Sequence, residues 1–121
     1  MNSYLEMDVR TASPEALVGR LLDRAVVLVS ASIEKLAGDP VESARTTGKA
    51  IDIVSELRNA LDAEVGGELA TNLDALYEFV GGRLVVGSAA SEAAAFQEAL
   101  QVLETLAGGW ADLLEQRAGR T

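Results

Sequence analysis

The sequence predicts an all-α protein, an antiparallel up-down-up-down four-helix bundle with a short N-terminal segment. Three observations carry that expectation. Both prolines follow a helix-capping residue, at Ser13-Pro14 and Asp39-Pro40, so each sits in a first helical turn, where its missing N–H is not needed. Glycines at Gly38, Gly66-Gly67 and Gly87-Ser88 punctuate the apolar pattern about once per long helix, where a left-handed C-terminal cap would need them. Between these signals apolar residues recur at helical spacing, and no segment alternates in the manner of a strand.

The first helix is expected over 14–37, with Leu17, Leu21, Ala25 and Leu28 as its inward stripe. Val18, Leu22, Val26, Val27, Val29, Ile33 and Leu36 add apolar surface around most of its circumference, so it is either central or partly a docking surface. The second helix is expected over 40–65. Its start carries Asp39 and, three residues on, Glu42, the spacing of a capping box, and its stripe is Ile51, Val54, Leu57 and Leu61. The third is expected over 68–86 with Leu69, Leu73, Leu76 and Val80 inward. The fourth is expected over 91–117 with Phe96, Leu100, Leu103, Leu106, Trp110 and Leu114. Short connections make consecutive helices antiparallel, crossing at about 20°. The chain is read as one domain over 1–121, an N-terminal segment (1–12) ahead of a bundle (13–118), because 121 residues suffice for one core and not for two.

Composition narrows the function. The formal charge of −9 repels phosphate backbones, and the 10 Lys and Arg are scattered, so nucleic acid is not an expected partner. No apolar run is long enough for membrane insertion and the first residues lack the basic and apolar regions of a signal peptide, which points to the cytosol. The absence of cysteine removes disulfides and thiolate metal sites. The absence of histidine removes the commonest general base and transition-metal ligand. No Gly-rich phosphate loop with a following lysine occurs, so the chain is expected to be no enzyme and to need no cofactor or metal. The 19 acidic residues read as solvated outer faces.

Some apolar residues exceed the core stripes. Ile53 lies off the stripe of the second helix, and Phe79 and Val86 form an i, i+7 pair off the stripe of the third. Bundles bury about half of each helix and single exposed apolar residues are common, so only the set as a whole favours a binding surface. The candidate partner groove comprises Ile53, Leu57, Ala60, Leu76, Phe79 and Val86. Tyr4, Leu5, Met7 and Val9 form a short apolar segment ahead of the first cap, either covering a groove or docked for good. Gly81-Gly82 and Gly108-Gly109 lie inside helical patterns, where each glycine costs about 1 kcal/mol relative to alanine, and close approach, a kink or tolerance would each account for them.

Two stretches carry a resemblance. Thr11-Ala12-Ser13-Pro14-Glu15-Ala16-Leu17-Val18, continuing to Leu21-Leu22-Asp23-Arg24-Ala25, is similar to the first-helix signature of the flagellin-export chaperone family (FliS). The stretch from Lys49-Ala50 through Glu56-Leu57-Arg58, Leu61-Asp62, Glu64-Val65-Gly66-Gly67-Glu68-Leu69-Ala70, Asn72-Leu73 and Leu76-Tyr77 resembles that family's second turn, and the spacing of Leu106 and Trp110 its last helix. The resemblance spans about residues 4 to 113. It departs at Leu22, where the family usually has tyrosine, and at Gly81-Gly82, where bulkier or charged residues are usual. It implies a chaperone that binds the disordered C-terminal segment of flagellin in the bacterial cytosol, prevents premature polymerisation and aids export. It further implies that Tyr4, Leu5 and Met7 belong to a groove-covering N-terminal segment. Contact with export-apparatus or anti-sigma proteins is left open. The rival reading is a non-enzymatic acidic helical scaffold or inhibitor that captures another partner through charge.

Overall fold

The computed structural model describes residues 13–64 and 67–119. They form four helices, α1 (Pro14–Lys35), α2 (Pro40–Glu64), α3 (Gly67–Ala90) and α4 (Ala93–Gly119), with no strand among the described residues. Packing is cyclic: α1 lies against α2 and α4, and α3 against the same two neighbours. This is the up-down-up-down four-helix bundle that short connections dictate.

The two proline starts are capped as their residues suggest. The Ala16 N–H donates to Ser13 Oγ at 3.1 Å, and the Glu42 N–H donates to Asp39 Oδ1 at 3.2 Å. Helix ends follow the glycines less closely. α1 stops at Lys35 and the chain turns over 36–38, where the Asp39 N–H reaches the Lys35 carbonyl at 2.8 Å. Gly38 does not take the left-handed conformation; among the described residues only Gly67 and Ser91 do, with φ of 66° and 53°. α3 does not end near 86 but runs on to Ala90. The Glu92 N–H then bonds back to the Gly87 carbonyl at 3.0 Å with Ser91 left-handed between them, the arrangement of a Schellman cap built on serine.

Gly87 has another task. A Cβ built on it would stand 2.8 Å from two ring carbons of Phe96, which is itself fully buried. The glycine that reads as a helix stop in the sequence is therefore the seat of the largest fully buried side chain. A similar contact brings α4 to α1: Trp110 lies so close that a Cβ on Gly19 would be 3.3 Å from its Cδ1, and its indole N–H donates to the Glu15 carbonyl at 2.7 Å.

The core is centred on Leu22, Ala25, Leu28 and Val29 of α1, Ala50, Val54 and Leu57 of α2, Tyr77, Val80 and Leu84 of α3, and Phe96, Ala99 and Leu103 of α4. The inward face of α1 is thus rotated by about one residue from the expected stripe, with Leu17 and Leu21 only half-buried. Most of its additional apolar residues pack inward as well, leaving Val27 exposed at 58%. At the α1–α2 corner the core is polar. Ser32, Ser43, Thr46 and Thr47 are buried; Ser43 Oγ donates to the Ser32 carbonyl at 2.7 Å, Ser32 Oγ donates to the Leu28 carbonyl at 3.1 Å, and Thr47 Oγ1 lies 2.9 Å from Ser32 Oγ. Small hydroxylated side chains let the two backbones approach while every hydroxyl keeps an acceptor.

Two glycines separate close packing from tolerance. Gly87→Ala is expected to destabilise the bundle by about 1–3 kcal/mol, because the added Cβ would overlap the ring of the fully buried Phe96. Gly81→Ala, where a Cβ would meet nothing within 4 Å, is expected to stabilise it by about 0.5–1 kcal/mol through helix propensity. Urea unfolding followed by circular dichroism checks both signs.

Candidate partner-binding face on the third helix

The outer side of α3 carries the main apolar surface that the bundle leaves in water. Leu76, Phe79 and Val86 are 39%, 42% and 37% exposed, and Leu69 and Val85 are exposed on the same helix. The rotation of α3 explains why. Tyr77, Val80, Leu84 and Gly87 point into the core, and neighbours in sequence point about 100° away, so Val86 and Phe79 must face outward. Phe79 and Val86 line one shallow, open depression of about 530 Å³ together with Ala75, Glu78, Gly82 and Arg83. Gly82 forms part of it by contributing no side chain: a Cβ there would meet nothing within 4 Å, so this glycine admits no other backbone.

The six groove residues expected from the sequence do not converge. Phe79 and Val86 line a common surface, and Leu76 lies beside them on the same helix, one turn before Phe79. Leu57 is 2% exposed and belongs to the core, so it offers a partner no surface; its position on the α2 stripe outweighs its nearness to the turn. Ala60 is half-buried beside Leu57, Leu61, Tyr77 and Trp110, around a crevice of about 10 Å³ that holds no more than a water. Ile53 is half-buried against the core, and no α2 residue lines the α3 depression. Tyr4, Leu5 and Met7 lie outside the described residues.

Charge frames this face on both flanks. On the α2 side Arg58 grips Asp74 with both arms of its guanidinium, Nε at 2.8 Å from Oδ1 and Nη2 at 3.1 Å from Oδ2, and lies 3.7 Å from Glu78. That hydrogen bond holds the Asp74 carboxyl below its ordinary range. On the α4 side Arg83 Nη2 donates to Glu98 Oε1 at 3.1 Å. These residues escaped the sequence reading because the pairs join different helices, at sequence separations that no i, i+4 search samples.

A closed helical bundle that keeps one helix face apolar in water is, as a class, a helical binding module. No helix among the described residues is long and apolar enough to cross a membrane. Residues 1–117 match the family described as flagellar protein FliS. The chain is 37% identical over 108 residues to the flagellar secretion chaperone FliS of Salmonella typhimurium, covering 88% of this chain and 80% of that one. It is 34% identical over 107 residues to the flagellar secretion chaperone FliSB of Pseudomonas aeruginosa, covering 88% and 85%. With the FliS of Escherichia coli K12 it shares 31% over 112 residues. This chain belongs to the flagellar protein FliS family.

Tyr77, 3% exposed at the inner side of α3, reports whether this end of the core stays dry. Burial raises its hydroxyl above the ordinary value of 10.0. The folded state holds that proton more tightly than the unfolded chain does, so its contribution is complete below the unfolded value and is lost as pH rises through the folded one. Stability measured by urea unfolding is expected to fall more steeply above pH about 10 in the parent than in Tyr77→Phe. An identical alkaline decline in both would show that Tyr77 does not titrate from a buried position.

Proposed function

We propose that this chain is a cytosolic flagellar export chaperone whose client is the disordered C-terminal segment of flagellin, held against premature polymerisation and passed on to secretion. Family membership over residues 1–117, with relatives named flagellar secretion chaperones, is the observation that carries this reading. The exposed stripe of Leu76, Phe79 and Val86 supports it physically. A client ordering into an amphipathic helix would lay its apolar side along that stripe, and the area buried would offset the entropy of ordering a flexible segment. In this reading Tyr4, Leu5 and Met7 cover client-binding surface when no client is present.

The chain is acidic overall, so salt separates apolar docking from capture by charge. A complex held by apolar area keeps its affinity as ionic strength rises; an acidic scaffold or inhibitor gripping a basic partner loses it steeply. Titration calorimetry with a flagellin C-terminal segment from the same organism is expected to give salt-tolerant one-to-one binding with a negative heat-capacity change. Phe79→Asp and Val86→Asp are each expected to weaken that binding by about tenfold or more while leaving helicity intact, since neither side chain is part of the core. Parent-like affinity in both variants would remove α3 from the site, and no binding by the parent would sink the flagellin reading itself.

A further inference from the structure

We infer that Arg83 recognises a carboxylate of the segment that docks on α3, and that Glu98 holds its place in the empty protein. The inference rests on the reading of α3 as the client-binding face and adds the chemistry of the client's edge.

The two arginines at the edges of the α3 face, Arg58 of α2 and Arg83 of α3 itself, differ in one respect. Arg58 uses the side of its guanidinium completely, with Nε and Nη2 each on its own oxygen of Asp74. Arg83 uses half of the same fork: Nη2 donates to Glu98 Oε1, while Nε is buried and has no hydrogen-bond partner. Among the described residues it is the one buried side-chain nitrogen or oxygen without a partner. A buried donor left unmatched is unfavourable, and burial denies this Nε the water that would otherwise serve it. Arg83 is not locked in this arrangement, because its side chain keeps 29% of its surface in solvent and Glu98 keeps 49%.

Position gives the unmatched donor a direction. Arg83 lines the depression that Phe79 and Val86 also line, so a helix seated on that stripe runs past the guanidinium. Once the partly exposed guanidinium turns outward and leaves Glu98, a carboxylate on the α4-facing edge of that helix can take Nε and Nη2 together, side-on, as Asp74 takes those of Arg58. A lysine cannot substitute, since an ammonium is a point charge without a planar fork. The chain as a whole carries a net charge of −9 and repels acidic segments, so one arginine fork beside an apolar stripe selects a client by the placement of its acid.

The test uses the full chain and the flagellin C-terminal segment, with each Asp and Glu of the segment changed in turn to Asn or Gln. Arg83→Lys is expected to weaken binding about tenfold at unchanged helicity. One client substitution should weaken binding to the parent about tenfold and binding to Arg83→Lys hardly further, which is the non-additivity of a direct pair. Purely additive losses, or unchanged affinity in Arg83→Lys, would overturn the inference while leaving flagellin binding in place. Loss of binding to the parent segment itself would instead be a failure of the chaperone reading. Should Arg83→Lys lose helicity, Glu98→Ala decides: removing the competing carboxylate is expected to tighten binding about threefold, and equal or weaker affinity at parent helicity counts against a client carboxylate on Arg83.

Discussion

The contact between Phe96 and Gly87 fixes more of this bundle than any other pair. Phe96 is the largest fully buried side chain, and it reaches its place because α3 presents a bare backbone at Gly87. Once Gly87 faces inward, the rotation of α3 is set along its length. Tyr77, Val80 and Leu84 share the inner side, and Phe79 and Val86 are carried to the outer one. The outward apolar face of α3 is thus a by-product of how the core closes.

The opposite corner is held by a different kind of force. Between α1 and α2 the buried residues are Ser32, Ser43, Thr46 and Thr47; the Ser32 and Ser43 hydroxyls each reach the other's backbone carbonyl across the helix pair, and Thr47 Oγ1 reaches across to Ser32 Oγ. Apolar packing tolerates sliding by a fraction of a turn; a hydrogen bond of 2.7 Å from Ser43 to the Ser32 carbonyl does not. The indole of Trp110 adds a third fixed point by donating to the Glu15 carbonyl, which ties the far end of α4 to the first turn of α1. Directional contacts of this sort give a bundle without disulfides one register among several that would bury similar area.

Much of this architecture is legible in the chain because it rests on local rules. Ser13 and Asp39 cap the helices they precede, and the long apolar stripes mark four helices correctly. What escapes is what local rules leave degenerate. Glycine serves equally to end a helix and to admit a neighbour, so Gly87 reads as a stop when it is a seat for Phe96, and the true end falls to Ser91 in a conformation that serine seldom adopts. Buried serines and threonines look like surface residues until their partners are known. The same degeneracy put Leu57 among the partner residues: its spacing suits the core and its neighbourhood suits a groove, and only three-dimensional packing decides for the core. The arginine pairs at the edges of α3 join different helices and had no signature to find.

Because the outward residues of α3 contribute nothing to core closure, the bundle is complete before any partner arrives. In the proposed reading, a departing client would uncover only the Leu76, Phe79 and Val86 face that already stands exposed in the free bundle, and no interior would be opened. Under the proposed chaperone reading, one copy would serve successive clients without a refolding step between them, and the slow events of each cycle would belong to the client, which would order on arrival and disorder on departure.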